Sequence, residues 1–501
     1  VSCKSKLIIF CVFGFMLAVS ISSAQDDDRV DDIALDRGMV AEPTGALTLE
    51  EAAALALAHN PALRVFPWDV RAAEARALQA SLWANPELNL EVEDVGLSEG
   101  PEERTRSVSV NPAGLSLERA EGGGRPAGFK EAEFTLRISQ LFLLGGKRKK
   151  AVAVAERERD AAEWDYEIGR TNVLRDVART YIAVLTAQNH VASRQRVFDL
   201  AKTIEQTITA RVESGKISPI DQKRASVQTT AAEIDLGRSL RQLEQARTAL
   251  AATWGTTTAT FDRVTGELHS AADLPPLKVL LDRSETNPDM RRWQYEIARR
   301  EAVLTLTKAR RLPDLTASLG FVTQGFDDHR SRALGVGPDG FSSSRSSTRF
   351  DDSRDNRIEF EFSIPLPVFN RNQGNIREAE YLLSKASAQR YVALSDVKTA
   401  IASWYQEAVA AYEETVKLNE DALPVAEDAF ESVRLGYDGG KFGYIEVLNA
   451  QSTLFDLRVR LLEAYSAYHQ ATVEIERLLG QPLDRYREIY GSSVGEEVNA
   501  P

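Results

Sequence analysis

The run Gly439-Gly440-Lys441-Phe442-Gly443-Tyr444-Ile445-Glu446 holds the glycines and the lysine from which phosphate-binding loops are built. Such a loop needs G-x-x-x-x-G-K-[ST] leaving a strand, so that backbone N–H groups cradle the phosphates and a hydroxyl holds magnesium. Here Lys441 is followed by Phe442, no glycine stands at the required upstream position, and the preceding segment has a helical pattern. The glycines are left to make a tight turn, and no cofactor motif remains. The histidines His59, His190, His269, His329 and His469 are scattered, without H-E-x-x-H spacing. Asp327-Asp328-His329 lies in the Ser/Arg/Gly-rich loop 323–356, where a loosely held divalent ion and plain solvation are both open readings. With 3 methionines there is no thioether ladder for copper(I). The sequence presents no catalytic constellation and no metal site, and it reads as a non-enzyme.

The chain opens with Lys4 and Lys6, then an apolar run from Leu7 to Ile21, then Ser22-Ser23-Ala24. A basic segment, an apolar core and a small-residue cleavage site predict a secretory signal peptide over 1–24. Cys3 and Cys11 both fall inside it, so the exported chain is expected to carry no disulfide and no thiolate site. No later stretch reaches the apolar length of a transmembrane helix, and the net charge of -13 argues against nucleic-acid binding. An exported chain of this kind spans a membrane, if at all, with strands.

The elements that position the turn come in duplicate. Asn60-Pro61 is followed by Pro86 at the same spacing at which Asn287-Pro288 is followed by Pro313. SGKISPID (214–221) matches GGKFGYIE (439–446), and the turn glycines Gly215 and Gly440 precede the helix-ending glycines Gly255 and Gly480 by equal intervals. The offset between the halves is nearly constant from one matched pair to the next. The expected segments are an N-terminal extension 25–47, a first repeat 48–255, an irregular linker 256–286, a second repeat 287–480 and a tail 481–501.

Each repeat reads as helix, strand, loop, strand, very long helix, tight turn, helix. Residues 48–83 are predicted helical, with Thr48 as N-cap and Glu51 completing a capping box. Four stretches alternate with period two, the strand signal. Leu88, Leu90 and Val92 oppose Glu87, Glu91 and Glu93; Phe134, Leu136 and Ile138 oppose Glu133 and Arg137. Leu315 to Phe321 alternates likewise, and Ile358, Phe360 and Phe362 oppose Arg357, Glu359 and Glu361. Two hairpins are too few to close a barrel, so closure requires several chains. The long helices are expected from about Lys147 to Glu213 and Gln373 to Arg434, with apolar spacing near the coiled-coil repeat and a kink at Pro424. Return helices are expected over 219–253, opened by Ser218 and Pro219, and over 444–478.

This pattern resembles the TolC-type outer-membrane efflux ducts. The likeness is carried by the duplicated Asn-Pro openings, the two Gly-Lys turns, QLFLLGGKRKK (140–150), SIPLPVFNRNQGN (363–375) and GYDGGKFGYIEVLNAQ (436–451). The last two are most similar to the branch that serves cobalt-zinc-cadmium and copper-silver efflux pumps. The resemblance implies a mainly α fold with a small β part. Three chains with four strands each would complete a twelve-stranded outer-membrane barrel, continued by an α-helical barrel in the periplasm. It implies a homotrimer, a periplasmic adaptor, a proton-driven inner-membrane pump of the resistance-nodulation-division type and contact with outer-membrane lipid, with no nucleic acid and no cofactor.

The resemblance also assigns roles. The hairpin turns would form the periplasmic gate, with Asp221 and Tyr437 as linking partners and Glu446 as an acidic ring; Asn449 stands where a second acidic ring is expected. Gly215, Lys216, Gly440 and Lys441 would meet the adaptor. Glu87, Glu91, Glu93, Glu133, Glu359 and Glu361 would line the lumen and enrich cations. Two other readings stay open for the acids at the helix starts and in the strands: helix-dipole chemistry and plain solvation. Lys147-Arg148-Lys149-Lys150, basic at a predicted helix start, would meet lipid head groups or water. The alternatives are the same duct for drugs, solvents or polypeptides, and a soluble periplasmic coiled-coil scaffold.

Overall fold

The computed structural model describes residues 43–93, 95, 103–111, 114–122, 132–215, 217–268, 271, 273–325, 330–337, 340–347 and 354–483. The segment expected to be a signal peptide, Lys216, His269 and the Asp327-Asp328-His329 group lie outside the described residues. In chain order the elements are β1 (Gly45–Leu47), α1 (Leu49–His59), α2 (Phe66–Ser81), β2 (Glu87–Glu93), β3 (Glu103–Asn111), β4 (Gly114–Gly122) and β5 (Glu133–Phe142). Then come α3 (Lys147–Glu213), α4 (Pro219–Ala252), β6 (Phe261–Val264), α5 (Leu277–Asp282), α6 (Pro288–Ala309), β7 (Leu315–Gly325), β8 (Arg330–Gly337), β9 (Gly340–Ser347) and β10 (Arg354–Ser363). The chain ends in α7 (Gln373–Lys417), a π turn (Leu418–Ala422), α8 (Leu423–Asp438) and α9 (Tyr444–Leu479). The fold is mainly helical with a small, repeated β component. Among the described residues no helix is long and apolar enough to cross a membrane.

The chain divides into two compact units, one of residues 1–61, 173–272 and 411–470, the other of 62–172, 273–410 and 471–501. In the first unit, Thr48 and Glu51 form the expected capping box, with reciprocal bonds of 3.2 and 2.9 Å. The expected helix 48–83 is broken, however: α1 stops at His59 and α2 begins at Phe66. Pro61 offers no N–H to continue the ladder, and Asn60 before it takes an extended ψ of 123°. Part of the expected irregular linker has regular structure. Its residues 261–264 pair in parallel with β1, and the Tyr181 hydroxyl is shared between the carbonyls of Leu47 (3.0 Å) and Thr265 (2.5 Å). Trp254, Phe261, Leu268 and Leu280 are buried.

At Pro424 the expected kink takes the form of a π turn. The Leu423 N–H reaches back to the Leu418 carbonyl, widening the helix where the proline ring would clash. The predicted run from Gln373 to Arg434 therefore becomes α7, the π turn and α8, with Leu423 and Ala426 packed on Leu454.

The duplicated Asn-Pro openings prove to be latches. Asn60 Nδ2 donates to the Thr253 carbonyl (2.7 Å) at the end of α4, and Asn287 Nδ2 donates to the Leu478 carbonyl (2.6 Å) near the end of α9. The following proline then lies against the helix-ending glycine. A Cβ on Gly255 would come within 3.1 Å of the Pro61 ring, and one on Gly480 within 3.0 Å of Pro288. Both glycines also hold positive φ, 85° and 68°, so any other residue is disfavoured on two counts.

In the second unit the four expected strands form one antiparallel sheet, in the order β10-β7-β5-β2. The β5–β7 pairing that joins the two repeats runs from Glu133↔Gln324 to Phe142↔Leu315. The segments between those strands were expected as loops, and they carry a further antiparallel sheet, β3-β4-β8-β9. The chain thus has more strands than the four expected. Asn111-Pro112-Ala113-Gly114 and Gly337-Pro338-Asp339-Gly340 are turn signals that mark the two added hairpins.

Asn287 is fully buried, and its Oδ1 also accepts from the N–H groups of Asp289 (2.6 Å) and Met290 (3.3 Å). Asn287→Ala is expected to cost about 2–4 kcal/mol, from loss of a cap and of a buried acceptor's partner. Asn60→Ala, losing its partly buried bond to the Thr253 carbonyl, is expected to destabilise as well, by about 1 kcal/mol or more. Thermal melts followed by helix circular dichroism check this, and unaltered midpoints contradict it.

Candidate functional site

The hairpin turns are built by the helices that end and begin there. Gly215 and Gly440 hold φ of 70° and 73°, the left-handed conformation that closes a helix C-terminus. Ser218 Oγ accepts from the Ile220 N–H (3.3 Å), with Pro219 at the first helical position as expected. In the second turn the Lys441 N–H donates to the Gly436 carbonyl (2.7 Å). Phe442 folds over Gly436 so closely that a Cβ there would lie 2.2 Å from the ring. Gly440 and Lys441 are exposed.

Behind the turns lies an apolar cluster of Ile208, Ala225 and Tyr444, with Ile204, Val212, Ile217, Tyr437 and Leu448 packed on it. Tyr437 and Tyr444 stand 6.4 Å apart, and the Arg211 guanidinium lies 4.8 Å over the Tyr437 ring. The Tyr437 hydroxyl is buried without a hydrogen-bond partner among the described residues. Asp221 lies beside Arg224, at 3.5 Å, and no hydrogen bond joins it to Tyr437 among the described residues. Glu446 and Asn449 are exposed and share one face of α9. Arg211 and Tyr444 were not picked out from the sequence, although both stand within a few residues of the turns.

The sheet β10-β7-β5-β2 has two unlike faces. Leu88, Leu90, Ile358, Phe360 and Phe362 are exposed on one, with Leu90 and Phe360 each at 73%. The other carries Glu87, Glu91, Glu93, Glu133, Asp355, Glu359 and Glu361 against Arg137 and Arg357. The arginines brace this face crosswise over the central strand. Arg137 reaches from β5 to Glu359 (3.7 Å) and Glu361 (3.3 Å) on β10; Arg357 meets Glu359 (2.9 Å) and reaches back to Glu133 (2.8 Å) on β5. Gly320 stands in register between Arg137 and Glu359, and its missing side chain leaves the path open: a Cβ would lie 3.5 Å from Glu359 and 3.9 Å from Arg137. Asp355 joins this face as a residue the sequence reading omitted.

The basic run after β5 is mostly structural rather than free for lipid or water. Lys147 is buried, donating to the Leu312 carbonyl (2.6 Å) and Asp314 (2.7 Å). Arg148 stacks on Trp83 at 4.4 Å and donates to the Ser81 carbonyl, and Lys150 donates to the Gly145 carbonyl. Among the described residues no group of His, Cys, Asp or Glu side chains is arranged to hold a metal ion.

A family model described as outer membrane efflux protein matches residues 52–256 and 282–481. The chain is 30% identical over 449 residues to the cobalt-zinc-cadmium resistance protein CzcC of Cupriavidus metallidurans, covering 88% of this chain and 91% of that protein. It is 23% identical over 333 residues to the nickel-cobalt-cadmium resistance protein NccC of Alcaligenes xylosoxydans xylosoxydans, covering 66% of this chain and 64% of that one. The crystal structure of the outer membrane protein VceC from Vibrio cholerae superposes with a TM-score of 0.60 at 18% identity, covering 87% of this chain and 96% of that one.

Burial first, then the nearby Tyr437, Glu205 and Asp221, pushes the Tyr444 phenol up to about 12 from its ordinary 10.0. The folded chain thus holds this proton more tightly than the unfolded chain. Its contribution to stability is complete below pH 10.0 and is lost as pH rises toward about 12. Tyr444→Phe is expected to flatten the fall of the melting temperature across that window. A pH profile identical to that of the unaltered protein contradicts the assignment.

Proposed function

This chain belongs to the outer membrane efflux protein family, and from that premise we propose that three copies form a passive duct exporting divalent metal cations. It is an outer-membrane channel with long periplasmic helices, and it does no bond chemistry. The observation that carries the proposal is the sheet β10-β7-β5-β2, apolar and exposed on one face, acid-rich on the other and, among the described residues, open at both edges. In hydrocarbon an open edge leaves N–H and C=O groups without partners, at several kcal/mol each. With the strands of the sheet alternating in direction, β2 and β10 run oppositely. The β10 of one copy therefore fits antiparallel beside the β2 of the next, and three copies close twelve strands.

The apolar face then meets lipid and the acidic face lines the water-filled lumen. Threefold repetition of its excess acids, in a low-dielectric wall, raises the local concentration of cations. That charge, together with the metal-resistance relatives, supports zinc, cobalt or cadmium as cargo. Energy comes from partners: a periplasmic adaptor docked at Gly215, Lys216, Gly440 and Lys441, and a proton-driven inner-membrane pump. In this reading residues 48–255 and 287–480 are the two duct repeats.

The gate follows the same logic. A buried hydroxyl without an acceptor is costly, so the Tyr437 hydroxyl is poised for a carboxylate such as Asp221 of a neighbouring copy. Glu446 forms an acidic ring at the opening, and Asn449 makes the next ring neutral. Deleting the gene is expected to lower tolerance of zinc, cobalt and cadmium salts with drug tolerance unchanged; the opposite pattern overturns the cargo. On re-expression, Asp221→Ala/Tyr437→Phe is expected to raise single-channel conductance in planar bilayers, and unaltered conductance removes both residues from the gate.

A further inference from the structure

The segment joining β10 to α7, Ile364-Pro365-Leu366-Pro367-Val368-Phe369-Asn370-Arg371-Asn372, continues the apolar face of the sheet beyond its last strand. Leu366, Val368 and Phe369 are 80%, 59% and 92% exposed. The far end of the segment is fixed in place. Asn372 holds a φ of 62°, which asparagine tolerates better than most residues, and its Nδ2 donates to the Thr307 carbonyl (2.8 Å) in the last turn of α6. The Arg371 N–H donates to Gln373 Oε1 (2.7 Å), and Asn375 Nδ2 donates to Asn372 Oδ1 (2.6 Å).

This arrangement brings Arg371 beside Lys308 and Arg311. The three cations line a cleft of about 370 Å³ with Leu312 and Pro367. Lys308 has a carboxylate at 3.5 Å, Glu380, on an exposed pair. Arg311 and Arg371 have none among the described residues. Like charges gathered around a fixed loop repel one another unless an anion joins them, and the exposed apolar side chains beside them lose free energy in water. A ligand that satisfies both demands has a phosphate at one end and hydrocarbon at the other.

The first repeat offers a contrast. Its corresponding cleft is lined by Ser81, Arg148, Lys149, Val152 and Glu156. There the guanidinium is already stacked on Trp83 and bonded to Ser81, and Glu156 supplies an anion of its own. The lipid role considered for the basic run of the first repeat is thus moved to the second.

We propose that Lys308, Arg311 and Arg371 bind the phosphate of an anionic phospholipid from the inner leaflet of the outer membrane, its acyl chains lying over Leu366, Val368 and Phe369. The inference rests on the membrane-spanning reading of the sheet. That reading is checked separately, by recovery of the unaltered protein from outer-membrane fractions.

The test is native mass spectrometry of the full chain in detergent, titrated in separate arms with phosphatidylglycerol, phosphatidylcholine and inorganic phosphate. Arg311→Gln/Arg371→Gln is expected to weaken phosphatidylglycerol binding about tenfold, and Arg311→Lys/Arg371→Lys to keep most of it. Lys149→Gln, in the first-repeat cleft, is expected to bind as the unaltered protein does. The altered side chains are all exposed, so circular dichroism is expected to show unchanged helix content. Equal phosphatidylglycerol binding by the double glutamine variant overturns the site. Displacement of the lipid by inorganic phosphate at equal concentration overturns the lipid in favour of a free anion, and equal affinity for phosphatidylcholine overturns the preference for anionic lipid.

Discussion

The unpaired edges of one small sheet constrain everything else in this molecule. A strand that borders hydrocarbon must find partners for its backbone N–H and C=O groups, and among the described residues β2 and β10 each have one side without them. Alternation within the strands turns apolar side chains to one face and charge to the other, so the sheet suits neither a packed core nor free solution. In the proposed trimer, pairing with copies of itself answers both problems together. The crosswise ion pairs from Arg137 and Arg357 tie β5 to β10 over the central strand.

The helices answer a different demand, that of length with defined ends. Neither the 67-residue α3 nor the 45-residue α7 is stabilised at its ends by helix propensity alone. The duplicated latch fixes the return helices instead, an asparagine amide holding a C-terminal carbonyl while a proline ring packs on glycine. The π turn before Pro424 absorbs the one proline that would otherwise break the second long helix. At the other end the positive-φ glycines close the hairpins, and Tyr437 and Tyr444 fill the space behind them.

Much of this architecture was legible in the sequence because it is periodic or punctuated. The helix limits Lys147 and Glu213, the Ser218 cap and the four alternating strands follow from local rules, and doubling made each one visible twice. The added strands escaped because β8 and β9 are rich in serine, arginine and glycine, a composition that reads as loop; there only the turn residues carry a signal. The strand at residues 261–264 escaped because its order comes from tertiary partners, β1 and the neighbouring Tyr181 bond to Thr265, rather than from local pattern. Of the hairpin turns, the glycines were readable from the repeat, whereas the gate role of Asp221 and Glu446 came only from the resemblance. The packing of Tyr437 beneath Arg211, and its hydroxyl left without an acceptor among the described residues, required the fold.

The central claim is that one chain is an incomplete wall. Its most direct test is the mass of the oligomer extracted from outer membranes in mild detergent, read by native mass spectrometry or light scattering. Three copies, heat-dissociable to one, is the expected result. A folded single copy in the periplasmic fraction, with the sheet edges left in water, would contradict the account.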